Sequence, residues 1–276
     1  MSFDQVGDED GFPVIYHNGT PCSRLLPTFW DAPARDRGLR ILCFDRPGYG
    51  RAPAQPGRTV ADEVRRTAAM LDDLGVERFA TWGASGGGPY ALGCGALLPD
   101  RVVALGVVAG NAPFDQAADP DGYKDEREAL ADGGGRDRLL ATYEADAAPM
   151  RRWDVDTLLA EWGESFSPQD KQSVGDGETG AYLLACIQEA IRESVAGWLD
   201  DNLAYVKPWG FALDEIRAPV SIWHGDDDLM VPLTDGRAYE SLIPQAELTI
   251  APGWGHPSLI FRHTGPLFDW LAIAVV

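Results

Sequence analysis

The sequence has little of what typically marks a metal, redox or membrane protein. Its 276 residues include only four cysteines, which are widely scattered without a Cys-x-x-Cys pair: Cys22, Cys43, Cys94 and Cys186. This spacing indicates free thiols and argues against a zinc site or a redox pair. There is also no uninterrupted run of about 18 apolar residues, so the sequence predicts no transmembrane helix.

Targeting signals and basic clusters are lacking as well. The first residues, 1–5, have neither the basic nor the apolar region of a signal peptide, and we expect a soluble cytoplasmic protein. The formal net charge is −20, and no Lys/Arg cluster offsets it. Such a surface repels phosphates and anionic head groups, which makes nucleic acid and membrane poor partners. We expect a small-molecule substrate as the partner, and the sequence predicts no oligomeric state.

What the chain does contain is an apolar fraction of 45%, enough for a sizeable core. Apolar runs alternate with helical periods through the first part of the chain, a pattern that predicts parallel strands joined by crossover helices. Thr59 is the predicted N-cap of one such helix. The predicted strands are 14–16, 40–44, 79–82 and 102–109.

The strand signal then disappears over residues 115–207. Apolar side chains repeat there at helical spacing, and 132–135 is glycine-rich without a preceding strand, which indicates a turn rather than a phosphate loop. We therefore predict a helical insertion at 115–207 within an α/β core formed by 1–114 and 208–276.

The α/β alternation returns after this insertion. Strands are predicted at 220–223 and 247–250, with one helix capped near Thr234 and a final helix from Ser258. The fold class is therefore a mostly parallel central sheet flanked by helices.

Residues 83–87 form a Gly-x-Ser-x-Gly motif between a predicted strand and a predicted helix. A serine on so sharp a turn has a strained backbone, and side chains two residues before and after it would collide, which accounts for Gly83 and Gly87. The Gly86 N–H, at the positive end of the helix, would face an anion forming beside Ser85. We interpret Ser85 as a nucleophile, the alternative being a glycine-rich turn that merely contains a serine.

A serine nucleophile needs a base, and the base needs an acid to fix its tautomer. Among the four histidines, only His256 follows a glycine turn after the last strand, where a side chain can reach a site shared by several strands. His17 and His224 lie near strand ends, and His263 falls inside the predicted final helix. His256 is the predicted base.

The acid is expected in the run Asp226, Asp227 and Asp228, which follows strand 220–223. Three adjacent carboxylates are more often a solvated loop than a site. The chain order serine, aspartate, histidine is nevertheless that of one hydrolase class, which favours a functional aspartate here.

With these motifs, the sequence resembles the α/β-hydrolase fold superfamily over nearly its whole length. The resemblance identifies Asp228 with the family's acid and the Thr20 N–H with a second oxyanion donor beside Gly86. Asp226, Asp227 and Asp115 remain alternative acids. The matching segments, in chain order, are 16–21, 45–50, 85–90 with 98–102, 224–232 and 253–256.

The sequence departs from the family pattern in three places. The family has two strands ahead of the one that carries the His-Gly loop, but only about a dozen residues precede Val14, so we expect the first strand to be missing. Asn18 lengthens the His-Gly pair by one residue. Arg51 stands where the family's loop often ends in serine.

The resemblance implies a mechanism without a metal or an organic cofactor. The substrate carbonyl oxygen would face the N–H groups of Thr20 and Gly86 while His256 deprotonates Ser85 and Asp228 holds the imidazole. An acyl-enzyme would form and be hydrolysed by water. A serine at the elbow argues against the haloalkane dehalogenase and epoxide hydrolase branches, which use aspartate there.

We expect the helical insertion to form a cap over the site. Its aromatic residues are candidates for an apolar substrate pocket, although aromatics at helical spacing more often pack a core. The pocket candidates are Trp153, Trp162, Tyr182 and Trp198. This favours an esterase or lactonase that acts on a small or medium apolar substrate.

The same motifs are compatible with other functions. An aminopeptidase similar to proline iminopeptidases would need Glu161, Glu164 or Glu189 to face the site and hold a substrate ammonium. Carbon–carbon bond hydrolases and hydroxynitrile lyases share such triads, and some members of the fold bind a ligand without turnover.

Overall fold

The structure, a computed structural model, describes residues 2–116, 123–132 and 135–275. Its described residues form a seven-stranded sheet in the order β1-β3-β2-β4-β5-β6-β7, in which only the β1–β3 pair is antiparallel. The predicted fold class, a mostly parallel sheet flanked by helices, is confirmed. The strands are β1 Phe3–Gly7, β2 Phe12–His17, β3 Leu39–Phe44, β4 Phe79–Ala84, β5 Val102–Val108, β6 Val220–Gly225 and β7 Ala246–Ala251.

The described helices lie between and after these strands. Three of them, α1 to α3, precede β5, and six, α4 to α9, lie between β5 and β6, where the sequence predicted a helical insertion. The helices are α1 Asp31–Arg35, α2 Val60–Asp73, α3 Gly88–Leu97, α4 Lys124–Ala131, α5 Gly135–Met150, α6 Val155–Trp162, α7 Pro168–Gly175, α8 Glu178–Ala190, α9 Ala196–Tyr205, α10 Leu233–Leu242, α11 His256–Arg262 and α12 Gly265–Ala274.

Within the described ranges between β5 and β6, no residue is assigned to a strand, and no described helix is long and apolar enough to cross a membrane. The middle of the predicted glycine-rich turn, 133–134, lies outside the described residues.

Strand β1 is the element that the sequence analysis missed. Among the described residues, β1 is the one strand that precedes β2. The family pattern has two strands before this one, and we expected the first of them to be missing. It pairs antiparallel with β3 at the edge of the sheet, and most of its residues are only half-buried. An edge strand of this kind needs few apolar residues, and Phe3 and Val6 were too few to predict it.

Helix starts near the C-terminus differ from the predicted ones. Helix α10 begins at Leu233, because Pro232 rather than Thr234 occupies the N-cap position. The predicted final helix is two helices, α11 and α12, and His263 lies just after the end of α11. His256 is the first residue of α11 instead of a loop residue. The predicted cap of α2 is confirmed: Thr59 and its partner Asp62 form a reciprocal capping box.

Both faces of the sheet are covered by apolar side chains. Successive residues of β2 point to opposite faces, so Val14 and Tyr16 join one buried cluster while Ile15 joins the other. Burial on both faces explains the nearly continuous apolar runs of the parallel strands. Because β2, β4, β6 and β7 run in the same direction, the residues that follow them meet at one edge of the sheet.

Candidate active site

The turn between β4 and α3 holds Ser85 in the left-handed region, with φ of +53°. Gly83 and Gly87 have to be glycines, because there is no space for a side chain at either position. A Cβ at Gly83 would overlap the carbonyl of Gly87, and a Cβ at Gly87 would overlap the carbonyl of His17. A non-glycine residue with positive φ is uncommon and marks a strained position. The turn places the Ser85 side chain at the carboxyl end of a central strand, where Ser85 lines a cavity.

His256 and Asp228 form a buried hydrogen-bonded pair at the same edge of the sheet. His256 Nδ1 lies 2.8 Å from Asp228 Oδ2. The other carboxylate oxygen, Asp228 Oδ1, accepts hydrogen bonds from the N–H groups of Met230 at 2.9 Å and Val231 at 2.8 Å. A proton on Nδ1 leaves Nε2 as the basic nitrogen of the neutral ring. Ser85 and His256 line one cavity, and within the described residues no direct hydrogen bond joins their side chains.

The alternative acids do not reach His256. Asp226 is exposed and accepts a hydrogen bond from the Gly253 N–H at 2.6 Å. Asp227 is exposed as well. Asp115 lies on a different surface depression that also includes Trp209. Of the four candidates, only Asp228 contacts the imidazole.

The pKa shifts of the pair follow from burial and mutual attraction. Burial alone lowers the pKa of His256, but the charge and hydrogen bond of Asp228, together with the charge of Asp170, raise it above its ordinary value. Burial also raises the pKa of Asp228, yet His256 and the Val231 N–H hold it below its ordinary value. The carboxylate is therefore ionised and stabilises a proton on the imidazole.

The other histidines are placed away from the cavity. Burial lowers the pKa of His17 to about 3, and its Nε2 lies 3.6 Å from Cys94 Sγ. His224 is fully buried on β6, where its Nε2 lies 2.8 Å from the carbonyl oxygen of Val231. Burial lowers its pKa too. His256 is the histidine that lines the cavity.

The cavity itself is small and apolar, with a volume of about 60 Å³. Its polar lining consists of Asn18, Thr20, Ser85 and His256, and none of its described lining residues is Asp, Glu, Lys or Arg. Among the helices, α11 contributes three apolar side chains to the wall, α8 contributes two and the end of α6 contributes one. The remaining lining residues are Tyr16, Gly19, Pro21, Cys22, Ala84, Trp162, Phe166, Leu183, Ile187, Met230, Pro257, Ile260 and Phe261.

One of the four predicted pocket aromatics, Trp162, lines this cavity. Trp153 packs edge-on against Trp162 at 5.9 Å between ring centroids, and Trp198 packs against Tyr143 at 4.9 Å. The Tyr182 hydroxyl donates to the Leu25 carbonyl at 3.0 Å. These three rings pack between elements and do not line the cavity, which corrects their prediction.

The sequence analysis also missed lining residues. Phe166, Leu183 and Ile187 were not predicted to line the pocket, although Ile187 belongs to a helical stripe visible in the sequence. Asn18 looked like a simple loop extension, but it lines the cavity and its Nδ2 donates to the Ser23 carbonyl at 3.0 Å.

The two predicted oxyanion residues lie next to each other. A Cβ at Gly86 would come within 2.7 Å of Thr20 Oγ1 and 2.5 Å of the Tyr205 hydroxyl, so only glycine fits there. The Gly86 N–H lies in the first turn of a helical segment, where N–H groups lack intrahelical acceptors. The Thr20 hydroxyl is held by Asp201 Oδ2 at 2.8 Å and Tyr205 at 2.8 Å.

The residues that follow β2, 18–21, form a loop that we call the Thr20 loop. A buried ionic cluster, formed by Arg46, Arg58 and Asp201, lies behind this loop. Arg46 donates to the carbonyl of Asn18 at 2.6 Å and to that of Gly19 at 3.1 Å. The Gly19 carbonyl and the Thr20 N–H belong to one planar peptide, so fixing the first orients the second. Burial raises the pKa of Asp201, but both arginines lower it well below its ordinary value.

Sequence reasoning gave no role to this cluster. Arg46 stood in a matched segment, but its partner Asp201 is one of several aspartates in the inserted helices and carries no local signal. The four cysteines are buried and free, and within the described ranges no group of three or more His, Cys, Asp and Glu side chains is arranged to hold a metal ion.

The chain is similar to known proteins over most of its length. A family model described as "Alpha/beta hydrolase family" matches residues 14–269. The bifunctional esterase/perhydrolase DCH of Acinetobacter calcoaceticus is 24% identical, over 91% of this chain and 87% of that protein. A non-heme haloperoxidase of Rhodococcus erythropolis is 26% identical, over 89% and 86%.

The fold has solved counterparts. The structure of a thermophilic esterase from Thermogutta terrifontis superimposes with a TM-score of 0.69 and 20% identity, covering 100% of this chain and 94% of that one. The resemblance drawn from the motifs is confirmed, and the chain belongs to the alpha/beta hydrolase family of enzymes.

Proposed function

We propose that this protein is a serine hydrolase that cleaves a small or medium, uncharged apolar carboxylic ester or lactone. The observation that carries the proposal is the meeting, at one apolar cavity, of the strained Ser85 turn and the His256–Asp228 pair. A strained serine, a base and an ionised acid in this order are the parts that acyl transfer needs.

The proposed reaction has two halves. His256 Nε2 takes the proton of Ser85 as Oγ attacks the carbonyl carbon, and the resulting oxyanion accepts hydrogen bonds from the N–H groups of Thr20 and Gly86. The imidazolium then gives its proton to the leaving alkoxide, and Asp228 stabilises its charge. Water, deprotonated by the same histidine, releases the acid from the acyl-enzyme and restores Ser85.

The character of the substrate is argued from the walls of the cavity. Trp162, Phe166, Leu183 and Ile187 come from the inserted helices or their connections and present apolar surface next to Ser85. We propose that these helices act as a cap over the site. A charged acyl group would lose its hydration there without gaining an ionic partner. The esterase/perhydrolase DCH, which is similar to 91% of this chain, supports ester cleavage as the reaction.

The contacts of the inserted glutamates disfavour the aminopeptidase alternative. Glu189 pairs with Arg24 at 3.3 Å and with Arg192 at 3.2 Å. Glu161 and Glu164 are exposed. None of the three lines the cavity, so no carboxylate is placed there to hold a substrate ammonium.

The proposal is tested by intact-protein mass spectrometry after incubation with a fluorophosphonate. We expect a single adduct that peptide mapping places on Ser85, and no adduct on Ser85→Ala. The control variant Ser165→Ala changes an exposed serine and should label like the wild type. A folded wild-type protein that takes no adduct would contradict the proposal.

A second measurement separates an enzyme from a ligand-binding member of the fold. Wild-type protein should turn over p-nitrophenyl butyrate repeatedly, at rates in the range of about 1–1000 per second that is usual for enzymes. A single burst of one equivalent without further turnover would favour the binding alternative.

A further inference from the structure

The side chain of Asp170, on the inserted helix α7, is buried against the first turn of α11. Its Oδ2 accepts hydrogen bonds from the His256 N–H at 3.0 Å and from the Ser167 N–H at 3.1 Å. Its Oδ1 accepts one from the Ser258 N–H at 2.9 Å. Asp170 is fully buried, and both of its oxygens are engaged by backbone donors.

These contacts give α11 an N-terminal cap that comes from another part of the chain. The first N–H groups of a helix have no intrahelical acceptor, and the residue before α11, Gly255, has no side chain that could provide one. A Cβ at Gly255 would overlap the Asp170 carboxylate. The glycine therefore leaves the space that Asp170 occupies.

We propose that Asp170 is a positioning residue, which holds the backbone of His256 from the inserted helices while Asp228 holds its imidazole. The inference rests on the proposed role of His256 as the base. Two fixed points, the main-chain nitrogen and Nδ1, restrict where Nε2 can lie relative to Ser85. Helix α7 is then part of the catalytic arrangement as well as of the cap.

The charge of Asp170 acts on the same ring. The titratable groups that face His256 are Asp228, Asp170 and, behind Asp228, His224, whose Nε2 lies 3.7 Å from Asp228 Oδ2. Both carboxylates raise the pKa of His256. Removing one of them should lower the pH at which the base loses its proton.

The far end of the same helix pair offers a matched control. Arg262, at the end of α11, pairs with Asp176 at 2.7 Å and with Glu178 at 3.2 Å, all of them partly exposed. The variant Asp176→Asn removes one negative charge between α7 and α11, as Asp170→Asn does, but away from His256.

The experiment compares Asp170→Asn and Asp176→Asn with the wild type in the pH dependence of p-nitrophenyl butyrate hydrolysis. We expect Asp170→Asn to lower kcat by roughly 10- to 100-fold with little change in KM, since a small misplacement of a reacting group has this effect. Its acid limb should move to lower pH. Asp176→Asn should keep the wild-type kcat and acid limb.

A third variant, Asp170→Glu, retains the charge but displaces it, so it should lower kcat while leaving the acid limb in place. Folded Asp170→Asn protein with the wild-type kcat and pH profile would overturn the inference. Loss of folded protein in both Asp170 variants would overturn it as well, by assigning the residue to stability alone.

A measurement without turnover keeps this test apart from that of the proposed function. The imidazole proton signals of His256, followed by NMR against pH, should titrate at lower pH in Asp170→Asn than in the wild type or Asp176→Asn. If the wild type takes no fluorophosphonate adduct, the proposed function fails, whereas an unmoved His256 titration refutes the role of Asp170.

Discussion

The cavity beside Ser85 and the ionic cluster of Arg46, Arg58 and Asp201 are close neighbours with opposite properties. The cavity contains open space, and none of its described lining residues is Asp, Glu, Lys or Arg. The cluster has three charged side chains and almost no exposure to solvent. The Thr20 loop separates them, since Thr20 lines the cavity and its hydroxyl contacts Asp201 at 2.8 Å.

These two neighbouring regions show where charge is useful in this fold. A guanidinium inside the cavity would favour anionic substrates, but behind the loop Arg46 acts on the carbonyls of Asn18 and Gly19. It thereby fixes the peptide that carries the Thr20 N–H before any substrate binds. Preorganised dipoles of this kind stabilise a developing oxyanion without reorganising during the reaction.

The largest expected effect is on the cavity side, at Asp228, the proposed acid. Asp228→Asn should reduce kcat/KM by about 10⁴-fold, because an amide at this position would favour the wrong imidazole tautomer. Asp226→Asn and Asp227→Asn are the matched controls, since both residues are exposed. Steady-state hydrolysis of p-nitrophenyl butyrate measures all three. Full activity in Asp228→Asn together with a large loss in a neighbour would reverse the assignment.

On the cluster side, the main expected effect is on stability. Asp201→Asn leaves Arg46 and Arg58 buried with less compensation, and the free energy of unfolding should fall by about 3–5 kcal/mol. Urea unfolding followed by tryptophan fluorescence measures the loss. Asp269→Asn, which breaks an exposed pair with Arg37, should cost at most about 1 kcal/mol. Equal losses in the two variants would remove the distinction between the buried cluster and the surface.

A smaller effect concerns the shape of the cavity. Trp162→Ala removes an indole from the apolar wall and enlarges the cavity, so the ratio of kcat/KM for p-nitrophenyl octanoate to that for the butyrate should rise, by roughly 10-fold or more. Trp198→Ala removes a tryptophan from the inserted helices that packs on Tyr143 away from the cavity, and it should leave the ratio unchanged. The cavity assignment is wrong if Trp198→Ala changes the ratio and Trp162→Ala does not.

The smallest effect is a displacement of the pH profile. The base must be neutral to accept the serine proton, so kcat/KM should fall about 10-fold per pH unit below the pKa of His256. Since that pKa is raised, the midpoint of the acid limb should lie above the ordinary value for histidine. Asp228→Asn should move it downward. A wild-type midpoint below the ordinary value would show that burial outweighs both carboxylates.

Local features of the fold and the site could be predicted from the sequence, whereas long-range contacts could not. The strained turn at Ser85 could be predicted because the glycines that it requires lie close to Ser85 in the chain. The parallel strands of the sheet could be predicted because strands that are buried on both faces form continuous apolar runs in the sequence. The edge strand β1 escaped prediction, since its half-buried residues give a weak pattern.

Contacts between distant segments could not be predicted. Asp170 and Asp201 look like ordinary helical aspartates until the fold brings them to His256 and to Arg46. Trp153 and Trp162 were both pocket candidates in the sequence, but which ring reaches the cavity depends on the tertiary packing of this region.

We propose that charge supports the site from behind while the cavity accepts only neutral groups, and three esters of similar length test this most directly. These are p-nitrophenyl butyrate and the p-nitrophenyl esters of 4-sulfobutyrate and of 4-(trimethylammonio)butyrate, whose charged groups cannot displace the p-nitrophenolate themselves. Measurement in about 1 M salt screens the attraction or repulsion due to the net charge of the protein. Rates on Ser85→Ala are subtracted as background. We predict that kcat/KM for the neutral ester exceeds both others by about 100-fold or more, and a charged ester cleaved as fast as the neutral one would contradict the account.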